Sequence, residues 1–182
     1  SATIKGKMAK TTMPSIKAHF DIKNGKIKSL EKNLSITNLN LEGRYHNKQP
    51  KQKELLEFKN ISLQLLKSTF SGSTKITDFK TPTFNGSIKG HLDLASFHDF
   101  FKFNDVQELT GIIDINTAYS IKFTDIEYNP SKFDLDNTNG DLTLKNITFK
   151  SNKNPIKFND ISGDLVLKGN DAGTKNLSVK TN

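Results

Sequence analysis

The sequence predicts a mainly β fold: a long, curled antiparallel sheet with repeated bulges and one short helix near residues 95–102. Apolar residues occupy every second position over most of the chain, which is the periodicity of a half-buried strand. That alternation slips by one residue wherever a short word centred on Asn or Asp recurs. Helical spacing is clear only from Ala95 to Lys102, where Phe97, Phe100 and Phe101 fall at i, i+3 and i+4.

The elements follow in order. Ile4, Gly6 and Met8 already alternate, and Pro14 introduces Ile16, Ala18, Phe20 and Ile22, interleaved with Lys17, His19, Asp21 and Lys23. Asn24-Gly25 favours positive φ and reads as a tight hairpin turn into Lys26 to Leu30. Leu34 and Ile36 open a strand that slips at Thr37-Asn38 and continues through Leu39 and Leu41 to Gly43. His46 to Lys53 is polar, contains Pro50 and reads as a loop. Leu55 to Leu66 resumes the sheet with a slip at Lys59-Asn60, and the strand through Phe70, Gly72, Thr74 and Ile76 slips at Thr77-Asp78.

Pro82 leads into the most regular stretch. Phe84, Gly86, Ile88, Gly90, Leu92 and Leu94 face one way, then the helix intervenes with Asp93 or Ser96 as its cap. Leu109, Gly111, Ile113, Ile115, Thr117, Tyr119, Ile121 and Phe123 resume the alternation in a strand far beyond the usual five or six residues. Asn129-Pro130-Ser131 and Asn137 to Gly140 read as turns. Further strands change phase at Lys145-Asn146 and Asn159-Asp160; Gly169 to Gly173 reads as a loop before Asn176-Leu177-Ser178-Val179.

The slips share one grammar: an apolar residue, a polar one, Asn or Asp, then Ile, Leu or Phe. Copies are Ile36-Thr37-Asn38-Leu39, Phe58-Lys59-Asn60-Ile61, Ile76-Thr77-Asp78-Phe79, Phe123-Thr124-Asp125-Ile126, Leu144-Lys145-Asn146-Ile147, Phe158-Asn159-Asp160-Ile161 and, with Thr174 leading, Thr174-Lys175-Asn176-Leu177. A strand that inserts one residue yet keeps one apolar face must bulge, and Asn and Asp tolerate the required backbone angles. Recurrence argues for a repeat architecture, against chance in an Asn-rich chain; the irregular spacing argues against a strict solenoid. Asn33-Leu34-Ser35, Asn60-Ile61-Ser62, Asn85-Gly86-Ser87, Asn146-Ile147-Thr148 and Asn176-Leu177-Ser178 match the glycosylation sequon, but such matches arise freely in this composition and no function attaches to them.

Composition narrows the function classes. The 182 residues suffice for one domain, and the strict patterning excludes disorder despite a mean hydropathy of -0.56. There is no Cys, and the His residues show no metal-ligand spacing. Gly86, Gly90, Gly111 and Gly163 lie inside strands, where glycine marks bends or close approach, and no Gly-rich loop leads into a helix. Asp99, Asp105 and Glu108 cluster near the helix as a solvated loop would. No catalytic constellation or cofactor motif emerges, so the expectation is a non-enzyme without cofactor or metal. The net charge is +8, but Arg44 is the only arginine and the lysines are scattered over many strands. Specific nucleic-acid recognition favours arginine's planar fork, so nucleic acid is not an expected partner. Lysines solubilise outward faces and protect edges, and weak attraction to anionic lipid surfaces follows at about 1 kcal/mol per lysine near a membrane.

The order of parts resembles AsmA-like proteins of Gram-negative envelopes. The resemblance rests on Pro14-Ser15-Ile16-Lys17-Ala18-His19-Phe20-Asp21-Ile22-Lys23-Asn24-Gly25, on Ile88-Lys89-Gly90-His91-Leu92-Asp93-Leu94 before the short helix, and on Leu109-Thr110-Gly111-Ile112-Ile113-Asp114-Ile115 after it. The stretch from Asn139 to Phe149 fits as well. It implies a repeating β-groove, polar outside and apolar within, that moves phospholipid between membranes and serves outer-membrane biogenesis. It implies further that residues 1–182 are a single groove segment, an excerpt of a longer inner-membrane-anchored periplasmic protein that meets membranes at its ends.

The patterning itself agrees. About ten strands at ~4.8 Å spacing span roughly 45–50 Å, enough to shelter an acyl chain. The expected lining is Phe20, Ile22, Leu39, Leu41, Ile61, Leu63, Ile88, Leu92, Ile113, Ile115, Tyr119 and Ile121. The competing architecture is a closed β-sandwich in which these are ordinary core residues, acting as an envelope scaffold or adhesin-like binding module.

Overall fold

In the computed structural model, the structure describes residues 1–5, 14–29, 34–47, 53–123, 133–134 and 138–181. The strands are β1 (Ala2–Lys5), β2 (Ser15–Lys28), β3 (Ser35–His46), β4 (Leu55–Leu65), β5 (Ser68–Thr77), β6 (Thr83–Asp93), β7 (Val106–Phe123), β8 (Phe133–Asp134), β9 (Asn139–Ser151), β10 (Lys157–Lys168) and β11 (Asp171–Thr181), with helix α1 (Leu94–Phe101) between β6 and β7. They form one eleven-stranded sheet in chain order, with β8 attached to β7 off the main path. All recorded pairings are antiparallel, and the sheet does not close on itself. The closed sandwich is therefore not the architecture of the described residues.

Accessible surface agrees with a single layer. A compact monomer of this mass exposes roughly 8,800 Å², whereas this chain exposes 12549 Å². Among the described residues, buried apolar side chains are correspondingly few: Leu39, Leu55, Leu94 and Ile147.

The Asn-centred words behave as the patterning predicts. Asn38, Asn60, Asn146, Asp160 and Asn176 all hold φ between 49° and 52° inside their strands. Each coincides with a register shift against a neighbouring strand. These are bulges in which Asn or Asp occupies the left-handed position more often given to glycine. The shifts fall in two wings, β2 to β5 and β7 to β11, whereas β5–β6 and β6–β7 pair without any shift.

Neighbouring strands help hold the bulges. The residue two places after the bulge is polar, and it meets the strand beside it. Asn40 Oδ1 accepts from the Asn24 backbone N–H at 2.9 Å, and Ser162 Oγ accepts from the Asn146 N–H at 3.0 Å. Ser62 Oγ accepts from Asn40 Nδ2 at 3.1 Å, while Ser178 Oγ donates to the Ser162 carbonyl at 3.3 Å. This gives a structural reason for the sequon-like spacing at Asn60 and Asn176. Gly111, at φ 102°, lets β7 approach the Asn146 bulge, where a Cβ would meet the Asn146 carbonyl and Ile147 Cα at 2.7 Å.

Several local expectations need correction. Asn24-Gly25 is a bulge and not a hairpin turn. Asn24 does take positive φ, at 52°, but β2 runs straight through it and pairs with β3 on both sides. Asp78 also takes positive φ, at 58°, yet it follows the end of β5 and shapes the connection to β6 instead of bulging a strand. The tight turn after β4 falls at Leu66-Lys67, with Leu66 at φ 55° and Leu65 paired to Ser68. Asn139-Gly140 opens β9, and the Gly169-to-Gly173 loop contracts to Gly169-Asn170 because β11 begins at Asp171. The alternation at Gly6 and Met8, Leu30, residues 48–52 of the polar loop, the Thr124-Asp125-Ile126 word, the Asn129-Pro130-Ser131 turn and Asn137 lie outside the described residues.

Helix α1 starts one residue earlier than the spacing predicts. Asp93 caps it, its Oδ1 accepting from the Ser96 N–H at 2.7 Å, and Lys102 closes it in the left-handed conformation. The Asp93 N–H donates to Ser68 Oγ at 2.9 Å, tying the helix start to the β4–β5 turn through a fully buried serine. No helix among the described residues is long and apolar enough to cross a membrane.

Candidate functional site

The register places every residue of the expected lining on one face. Phe20 pairs with Gly43, Gly43 with Phe58, Phe58 with Thr74, Thr74 with Gly86, and Gly86 with Tyr119, a continuous row from β2 to β7. Paired residues share a face and strand neighbours two apart return to it, so Ile22, Leu41, Ile88 and Ile121 belong to that face too. Leu39 follows from Leu41 by the same alternation, and the bulge at Asn60 absorbs one residue, returning Ile61 and Leu63 to the face. A second row joins Leu63, Phe70, Gly90, Ile115, Leu142 and Leu165, and a third joins Leu92, Ile113 and Leu144.

Burial grades across this face. Leu39 is buried, whereas Leu41, Ile61, Leu63, Ile88, Leu92, Ile113, Ile115, Tyr119 and Ile121 are half-buried. Phe20 and Ile22, near the β1 edge, are 37% and 39% exposed, and Leu177 and Val179 on β11 are 46% and 45% exposed. The lining therefore covers the interior strands better than it covers the flanks.

Large rings lie over glycines on neighbouring strands. A Cβ at Gly43 would collide with the Phe20 ring, which reaches across β3 to meet Phe58 edge-on at a centroid distance of 5.8 Å. At Gly90 it would meet the Phe70 ring at 2.6 Å, and at Gly86 the Tyr119 hydroxyl at 2.7 Å. Gly43 and Gly90 thus make room for a ring from the adjacent strand, and Gly86 makes room for the end of Tyr119 and for the Ser73 carbonyl, with which a Cβ would also collide. These overlays explain part of the half-burial on a face that has no second sheet above it. The alternating pattern flagged the glycines but not the rings that fill their space, because the ring lies on the adjacent strand.

The opposite face is polar and internally paired. Arg44 forms an ion pair with Glu57, and Lys59 Nζ lies 3.7 Å from the same carboxylate. Asp114 receives Lys145 Nζ at 2.5 Å and His91 Nδ1 at 2.7 Å, and these partners, Lys145 first, hold its carboxyl below the usual range. Thr143 donates to Asp164 at 2.8 Å. A depression of about 580 Å³ opens here, with Asn40, Ser62, Gln64, Thr69, Lys89, His91 and Asp114 among its lining. Among the described residues no cluster of three or more His, Asp or Glu side chains is arranged to hold a metal ion.

Among the described residues no nucleophile is poised beside a base on the apolar face. What the arrangement presents there is a wide apolar surface, built from aliphatic side chains and flat rings and open to solvent above. No protein-family model matches the chain, and no curated protein or solved structure matches it significantly.

Proposed function

We propose that this chain shelters lipid acyl chains on the apolar face of its open sheet, as one segment of a phospholipid-transfer path in a Gram-negative envelope. The supporting observation is the continuous apolar face crossing β2 to β10, with no second layer covering it among the described residues. An acyl chain gains about 0.8 kcal/mol for each CH₂ it buries, so a sixteen-carbon chain gains ~10 kcal/mol before ordering costs. Such binding needs no catalytic group, no metal and no cofactor. The resemblance to AsmA-like proteins supplies the envelope setting, a longer anchored protein and contact with membranes at its ends.

Alternating residues of β7 supply the test. A photo-crosslinking side chain replaces Ile113 or Ile115 on the apolar face, or Asp114 or Asn116 on the polar one. After incubation with dispersed phospholipid, crosslinked lipid is expected at Ile113 and Ile115 and not at Asp114 or Asn116. Equal labelling on both faces, or none on either, overturns the lipid reading in favour of a scaffold or protein-binding module.

A further inference from the structure

The central part of the apolar face is not uniformly apolar. The described residues contain four buried side-chain oxygens without a hydrogen-bond partner, and three are threonine hydroxyls: Thr74, Thr117 and Thr138. Thr117 is only 7% exposed and Thr138 only 8%. Thr74 and Thr117 share the apolar face through the Thr74–Gly86–Tyr119 and Ile88–Thr117–Gly140 rows, and Thr138, two residues before Gly140, has the same parity.

Tyr119 stands between them. Its hydroxyl crosses Gly86 and reaches only a long contact, 3.4 Å, with the Ser73 carbonyl. The result is a band of hydroxyls and glycines on β5, β6 and β7, which pair without a register shift, and at the start of β9, flanked by Phe84 and Ile121 on one side and Ile88 and Ile115 on the other. A buried hydroxyl without a partner is costly, and buried polar groups are almost always paired. Two such hydroxyls on one face of the sheet, with a third immediately before β9, point to a partner absent from the chain itself.

We propose that this band is a binding site for the acyl-ester carbonyls of a glycerolipid. The inference rests on the lipid reading above and narrows its substrate class. Hydroxyl donors suit a neutral carbonyl acceptor. A free carboxylate asks for a cation, and the residues bordering the band on this face are uncharged. The apolar rows on either side accept the hydrocarbon chains, and the open face leaves a charged headgroup in water. Tyr119 swings off its weak contact with Ser73, which opens the covered hydroxyls to the carbonyl and adds a donor.

The test compares dispersed diacyl phosphatidylcholine with its diether analogue, which has the same chains and headgroup but no ester carbonyls. Wild-type chain is expected to bind the diacyl lipid roughly fivefold to tenfold more tightly, the scale of one ordinary hydrogen bond. Thr74→Val, Thr117→Val and Thr138→Val together with Tyr119→Phe keep side-chain shape and remove the donors. The fourfold variant is expected to bind both lipids with the affinity that wild type shows for the diether, and to stay as stable as wild type or become more so. Equal wild-type affinity for the two lipids overturns the ester site while leaving the lipid reading intact. So does an ester preference that survives the fourfold substitution. Binding of neither lipid by wild type overturns both.

Discussion

The backbone N–H of Asn146 on β9 donates to the side-chain Oγ of Ser162 on β10, at 3.0 Å. Asn146 is the left-handed residue of its own bulge, and Ser162 sits two places after the left-handed Asp160 of the next. One strand's bulge is thus held by the strand beside it, and the same relation ties Asn24 to Asn40 in the other wing. Bulges joined in this way add bend and twist strand after strand without moving a residue off its face.

Substitutions at this pair have signed consequences. Asn146→Val forces a β-branched residue into the left-handed region, at a cost of about 1–2 kcal/mol, whereas Asn146→Gly is expected to be close to neutral. Ser162→Ala removes an exposed hydrogen bond and is expected to cost about 0.5–1 kcal/mol. Urea unfolding of the three variants checks the order. A valine variant as stable as the glycine one would remove the argument for the left-handed position.

Phe20 and Gly43 are expected to be coupled. Gly43→Ala places a methyl where the Phe20 ring lies, so the ring must lift off Phe58 at a cost of about 1–3 kcal/mol. In a Phe20→Ala background that ring is gone and the added methyl meets less resistance. A double-mutant cycle by urea unfolding should therefore give a coupling above about 0.5 kcal/mol. Strict additivity would mean that the ring does not occupy the glycine's space.

How much of this was legible in the sequence depended on whether a residue type carries its own backbone preference. The bulges at Asn38, Asn60, Asn146, Asp160 and Asn176 were legible because a phase slip and an αL-tolerant residue fall together. Asn24-Gly25 misled because the same dipeptide serves a hairpin turn or a bulge. The choice lies with β3, which pairs on both sides of Asn24, and a partner strand is not a local signal. The turn at Leu66 was illegible for the opposite reason: leucine has no preference for positive φ, and a turn that closes on the buried Ser68 holds it there. The lining of the apolar face was legible through its period of two. The hydroxyl band was not, since Thr74 and Thr117 continue the alternation and only strand register brings them onto one side of the centre.

Asp93 should give helix α1 a pH-dependent stability. Its carboxyl is held below the ordinary range, first by the Ser96 backbone N–H and then by the Ser96 hydroxyl, Lys67 and His91, against the opposing effect of burial. A depressed folded-state value means that the stabilisation is complete above the unfolded carboxylate value of about 3.9. It is lost as pH falls through the lower folded value. Asp93→Asn retains an N-cap side chain but cannot titrate. Its stability relative to wild type should improve on acidification below about pH 4. Asp93→Ala should cost about 1 kcal/mol at neutral pH through loss of the cap. Thermal unfolding of the three proteins between neutral and acid pH measures this, and parallel pH profiles for wild type and Asp93→Asn would reject the assignment.

The openness of the apolar face gives a prediction that contrasts two lining residues. Ile115 lies on β7 in the middle of the sheet and is half-buried, whereas Leu39 on β3 is only 6% exposed. An aspartate at either position puts a carboxylate on an apolar surface, and the cost depends on whether that carboxylate can reach water. Above Ile115 there is no second sheet among the described residues, so Ile115→Asp is expected to remain folded with a modest loss of stability. Leu39→Asp buries its charge beneath its neighbours and should lose several kcal/mol. Circular dichroism of both variants, with urea midpoints, reads the difference. Lipid crosslinking through a probe at Ile113 should also fall in Ile115→Asp, because the charge interrupts the apolar row while the strand pairing persists. Wholesale unfolding by Ile115→Asp, matching that of Leu39→Asp, would mean that the face is closed over in solution. A folded Ile115→Asp with undiminished crosslinking would mean that acyl chains do not pass over β7.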